Sequence, residues 1–147
     1  MQQRRARDRN VRLIEYMICH EKQIAEAVEE ARLSVFVAPE IPSGGSAISK
    51  PTEAQAIRLA DELREVDVDG RSVEWPERWL KVISAVRKWC GRDTIRKEVF
   101  RRRYKGDGYV STCQAIHIAQ QTYSDVLGRI RDYEVKCACQ AQLIKVF

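Results

Sequence analysis

Six side chains in one short stretch can read the edges of nucleic-acid bases: Gln120, Gln121, Thr122, Ser124, Asp125 and Arg129. A glutamine amide pairs with adenine, an arginine with guanine, a hydroxyl with several edges, and a carboxylate accepts from the amino group of cytosine. Short polar groups at the start of a helix are the ones that reach bases in the major groove. Nearby, Arg101, Arg102, Arg103, Lys105 and Arg131 have the charge to neutralise phosphates. They belong to a wider basic run, since nine Lys and Arg lie between Arg87 and Lys105 against only Asp93 and Glu98. A charge run alone is usually a solvated face, and its place next to the polar stretch is what points to nucleic acid.

Other chemistries find little support. His20 and His117 are the only two histidines, and no paired carboxylates, Gly-rich phosphate loop or nucleophile with a supporting base is recognisable. Cys113 and His117 stand one helical turn apart, but neither they nor Cys137 with Cys139 make a closed zinc set. The expectation is therefore no enzyme, no cofactor and no metal.

The base-reading residues need a rigid mount, and residues 111–136 are expected to supply it as a helix-turn-helix. Ser111 with Gln114 makes a capping-box start, Cys113 is small enough for a close helix contact, and Ile116 and Ile118 flank the turn. Tyr123, Val126, Leu127 and Ile130 recur at three- and four-residue spacing and define a buried face opposite the polar one. Any amphipathic helical hairpin shows the same spacing. His117 stands where such a turn usually has glycine, and Ala119 where the second helix usually has a serine or threonine cap, a loss of about 1 kcal/mol.

The remaining elements read as helices too, so the fold expected is all-α: a long N-terminal helix plus a helical bundle with a C-terminal helix-turn-helix. Residues 1–37 are assigned to the long helix, free of Pro and Gly from about Asp8 to Val37, with Ile14, Met17, Ile24, Val28, Ala31 and Val35 as an apolar seam. That seam suits either the chain's own core or a second copy. Residues 38–50 collect Pro, Ser and Gly and form a loop. Residues 51–147 make the helical DNA-binding domain, beginning with a helix through Ala56, Leu59, Ala60 and Leu63 and a turn over Asp67 to Arg71. Pro76 then opens a helix that buries Trp79, Val82, Ile83, Val86 and Trp89 and closes at Gly91. Asp93 caps the next, with Ile95, Val99, Phe100 and Tyr104 inward and Arg101 to Arg103 outward, and Gly106 and Gly108 end it. The last helix is expected to run from Gln120 to about Ile144.

With 147 residues the chain can bury a real core. Charged residues make up 32% and aromatics 7%, a composition that suits helices. The net charge of +5 is uneven: residues 1–70 hold 10 Lys/Arg against 13 Asp/Glu, net −3, and residues 71–147 hold 16 against 8, net +8. Five cysteines without a disulfide-framework spacing read as reduced, buried residues. The start, MQQRRARDRN, leads into an amphipathic helix rather than an apolar signal core, and no stretch approaches the ~20 apolar residues of a membrane span. A soluble, cytoplasmic protein with no membrane partner is the expectation.

Taken together, the opening VRLIEYM, the KPTEAQAI segment, the helix from Trp79 to Trp89, EVFRRRY and CQAIHIAQQTYSDVLGRIRDYEV resemble the RinA-type transcriptional activators of temperate phages, close to ArpU-type regulators. The resemblance covers most of the chain and is most specific at the Ile116-His117-Ile118 turn before Thr122. It implies a helix-turn-helix similar to region 4 of sigma factors, binding to double-stranded DNA near late promoters, and activation of packaging and structural genes in the bacterial host. In that family a serine usually precedes the recognition helix, where this chain has Ala119. Two other readings compete: a small-terminase-like packaging or helical assembly protein, and a module that contacts host RNA polymerase through its basic face. Paired half-sites, with either the apolar seam or the apolar end of the last helix at Leu143, Ile144, Val146 and Phe147 as the contact, lead to a homodimer as the expected assembly.

Overall fold

The computed structural model describes residues 2–34 and 61–145. Among them the chain is all-α apart from one short hairpin. The order is α1 (Gln2–Cys19), α2 (Glu21–Ser34), β1 (Glu65–Val68), β2 (Arg71–Glu74), α3 (Pro76–Cys90), α4 (Thr94–Tyr104), α5 (Tyr109–Ile116) and α6 (Gln120–Gln140). Contacts divide the chain into two compact units, Met1–Glu21 with Arg78–Phe147, and Lys22–Glu77. No helix among the described residues is long and apolar enough to cross a membrane.

In the first unit α1 buries Ile14, Met17 and Ile18. The N-terminal helix expected over 1–37 runs from Gln2 but is interrupted at His20. There the His20 N–H is shared between the carbonyls of Tyr16 (3.1 Å) and Met17 (3.2 Å), a three-centre pattern common at helix ends. The imidazole folds back onto the Tyr16 ring, 4.0 Å away, and its Nδ1 lies 2.8 Å from the Tyr16 carbonyl. Ile14, Met17 and Ile24 of the apolar seam are buried within the chain. Residues 35–37, with Val35, lie outside the described residues, as do the 38–50 loop and the helix expected to start at Pro51.

Pro76 takes the first position of α3, where its missing N–H has no partner to lose. Trp79, Val82, Ile83, Val86 and Cys90 are buried along one side of it, and the Gly91 N–H closes the helix on the Arg87 carbonyl at 2.9 Å. Asp93 caps α4 by accepting from the Arg96 N–H at 3.0 Å. Trp89 is half-buried, stacked on Tyr133 at 4.3 Å with the Arg96 guanidinium 3.6 Å from its ring centroid, a cation–π contact. Val99 and Phe100 are buried as expected, whereas Ile95 is 41% exposed. Ile95 lies only about 40° round the helix from Val99 but in the first turn of α4, next to its N-terminus.

Gly106, at φ 91°, lets the chain turn back so that Asp107 N–H reaches the Arg102 carbonyl at 3.0 Å, a glycine stop of the Schellman kind. Gly108 does not continue that stop; it is the N-cap residue of α5, its carbonyl accepting from Thr112 N–H at 3.0 Å. The capping box expected at Ser111 and Gln114 is therefore absent, because the helix has already begun at Tyr109. At the other end α6 stops at Gln140 rather than near Ile144. Gln142 takes φ 60° and Leu143 N–H bonds back to the Ala138 carbonyl at 3.0 Å, so the last residues fold across the helix end.

In the second unit Arg32 donates from Nε (2.9 Å) and Nη2 (2.7 Å) to Glu77 Oε1 and from Nη2 to the Asp61 carbonyl (2.8 Å). Leu63, expected at the end of a helix, is not helical. It precedes the antiparallel β1–β2 pair, in which Val66 faces Val73 and Val68 faces Arg71, and which Trp75 N–H extends by bonding to the Arg64 carbonyl at 2.8 Å. Asp69 (φ 50°) and Gly70 (φ 79°) make the two-residue turn, the type I′ geometry that matches strand twist. Val66, Val68 and Val73 are buried.

Candidate nucleic-acid interface

The mount for the base-reading residues is a helix, a three-residue turn and a second helix. α5 ends at Ile116, and His117 takes φ 54° and ψ 50°, the left-handed conformation for which glycine is the usual residue. Its N–H and that of Ile118 (3.1 Å) both reach the Cys113 carbonyl, satisfying the helix end. Ala119 is extended and stands at the N-cap of α6, with no side-chain bond to the first turn. The fully buried side chain of α5 is Thr112; Cys113 is only half-buried, so the close contact expected of Cys113 falls one residue earlier. Of the other cysteines expected to be buried, Cys90 and Cys137 are, Cys139 is half-buried and Cys19 is exposed. Burial pushes the Cys90 thiol up to about 12.

α6 then sorts its residues as its period dictates. Tyr123, Leu127 and Ile130 are buried and Val126 half-buried, while Gln120, Gln121, Thr122, Ser124, Asp125 and Arg129 are all exposed. Gln121 Nε2 donates to Asp125 Oδ1 at 3.0 Å, so that carboxylate is partly engaged by a neighbouring amide.

The five expected phosphate contacts do not form one set. Arg101 is exposed and pairs with Glu98 at 2.8 Å, and Arg102 is half-buried between Glu98 and Asp107, each 3.4 Å away. Those hydrogen bonds, led by that of Arg101, pull the Glu98 carboxyl below its usual range. Arg103 and Arg131 are half-buried and converge on one oxygen of Glu15, at 2.8 and 3.2 Å. Only Lys105 of the five is exposed with no ion pair among the described residues, and Arg129 of the polar face shares that state. Of the three arginines expected outward, Arg103 is thus an internal clamp joining α4 to α1 and α6.

Two functional-looking residues escaped the sequence reading. Glu134 is wholly buried on α6, its Oε1 accepting from the Tyr104 hydroxyl at 2.9 Å and its Oε2 without a partner. Burial holds its carboxyl up to about 7, only partly offset by the Tyr104 bond, and burial likewise raises the Tyr104 hydroxyl. The signal was its place seven residues after Leu127 and four after Ile130, squarely on the apolar face. Glu15 gave none, since a lone acid beside Ile14 looks like any exposed charge. Compared with family models, curated proteins and solved structures, the chain matches none.

Proposed function

We propose that this protein binds duplex DNA through α5 and α6 and regulates transcription, as its resemblance to RinA-type phage activators implies. The observation that carries the reading is the start of α6, where six polar side chains from Gln120 to Arg129 are exposed behind a left-handed turn. A helix held at its base by Thr112, Tyr123, Leu127 and Ile130 can enter a major groove with those side chains leading. Arg101, Arg102 and Lys105 then lie on phosphates and fix the register, and the side chains of α6 discriminate bases. The same reading makes the protein an activator of late packaging and structural genes in the host cytoplasm, acting as a homodimer and with host RNA polymerase as a further partner.

Titration of a fluorescently labelled duplex at several salt concentrations tests it. Each phosphate neutralised contributes about −0.9 to the log–log salt slope, so these three cations alone call for a slope of roughly −2.7. A flat salt response, or no binding at low salt, contradicts the reading.

A further inference from the structure

Besides the basic run from Arg87 to Lys105, a second cluster of uncompensated charge lies at the beginning of α1. Residues 2–12 hold five arginines, Arg4, Arg5, Arg7, Arg9 and Arg12, against the single Asp8. All five are exposed, and only Arg7 has an ion pair among the described residues, with Asp132 of α6. At 100° per residue, Arg5, Arg9 and Arg12 fall within about 60° of one another, on the side of α1 opposite buried Ile14, Met17 and Ile18. They make a ridge of three guanidinium groups spanning about 10 Å.

Helix stability does not account for this ridge. Cations in the first turn oppose the macrodipole, and α1 has no acidic residue there to offset Arg4 and Arg5. Like charges at three- and four-residue spacing repel as well. In α4 the opposite holds: Arg101, Arg102 and Arg103 occupy the last turn, where the dipole favours them, and each has a carboxylate partner. A local rule broken without a structural return marks a surface built for a partner.

Three guanidinium groups in a row, none of them ion-paired among the described residues and with Asp8 the one carboxylate between them, suit a row of phosphates. α1 also lies beside the candidate interface. Arg7 holds Asp132, which sits within about 40° of Gln121 and Asp125 on the α6 circumference, eleven residues or about 16 Å beyond Gln121. A ridge gripping phosphates there requires the backbone that flanks a major groove about 12 Å wide to lie on the α1 side of a duplex read at Gln121.

We propose that Arg5, Arg9 and Arg12 form a second phosphate-binding ridge that grips duplex DNA beside the site read by α6. The proposal rests on the helix-turn-helix reading. The test compares the full chain with a triple variant, Arg5→Gln, Arg9→Gln and Arg12→Gln, in the labelled-duplex titration over a range of salt. The expected result is a log–log slope shallower by about 2.7, weaker binding to every sequence, unchanged base preference and a thermal midpoint equal to or above that of the parent. A triple variant that keeps the parent slope overturns the ridge and leaves the α6 reading standing. A parent protein that binds no duplex overturns both. Binding to phosphatidylglycerol vesicles that the triple variant abolishes, with the duplex slope unchanged, assigns the ridge to a membrane surface and overturns the proposal.

Discussion

At His117 a residue with a β-carbon takes φ 54°, a conformation that costs roughly 1–2 kcal/mol outside glycine, and two residues later Ala119 leaves the α6 N-cap empty. Both are local losses at the one turn that aims α6. His117→Gly is expected to raise stability by a few tenths to about 1 kcal/mol, since relief of strain exceeds the extra freedom glycine gives the unfolded chain. Ala119→Ser is expected to add about 1 kcal/mol. Urea unfolding checks both, as a higher midpoint at unchanged slope. Glu134 ties stability to pH. Its folded carboxyl is held up to about 7 against 4.5 for the ordinary group, so between those values the folded protein keeps a proton that the unfolded chain releases. Stability from this group is therefore full below about 4.5, is lost as pH rises toward 7, and is flat above. The loss is on the order of 3 kcal/mol. Glu134→Gln keeps an acceptor for Tyr104 and is expected to remove that part of the decline; equal declines in the two proteins between pH 5 and 8 contradict it.

Helices were legible where one face meets a core for several turns. Tyr123, Leu127 and Ile130 announced the buried face of α6, and Trp79, Val82, Ile83 and Val86 that of α3, because a 3.6-residue period survives any neighbouring contact. Ends were less legible, since they depend on backbone bonds: α5 starts on the Gly108 carbonyl and α6 stops where Leu143 reaches Ala138. The β1–β2 hairpin was read only as a turn, because strands of four residues give two alternations each, although Asp69-Gly70 between Val68 and Val73 is a strong hairpin signal. The pairing of two of the five expected phosphate contacts was illegible for a different reason: Arg103 and Arg131 are bound by Glu15, 88 and 116 residues away in sequence. That clamp joins α1, α4 and α6, so Glu15→Gln is expected to cost about 1–3 kcal/mol by leaving two half-buried guanidinium groups without their carboxylate. Denaturant titration at neutral pH checks it, and a change below a few tenths contradicts the clamp.

Across the whole molecule, dividing the charge by halves hid its main feature. The first 70 residues sum to −3, yet five of their ten cations lie between Arg4 and Arg12. The long apolar seam, which suited a second copy of the chain, has Ile14, Met17 and Ile24 already buried within the first. Self-association therefore needs another surface, and sedimentation equilibrium at micromolar concentration is expected to give a dimer, with a monomer contradicting the paired-helix arrangement and a large closed ring favouring a packaging assembly. Base readout is assigned to α6. Selection from a random-sequence duplex library, with the parent protein and with Gln121→Ala, tests it most directly. The parent is expected to return a defined motif, and Gln121→Ala the same motif with one position relaxed by about 1–3 kcal/mol of discrimination. An identical motif from both proteins, or none from the parent, contradicts it.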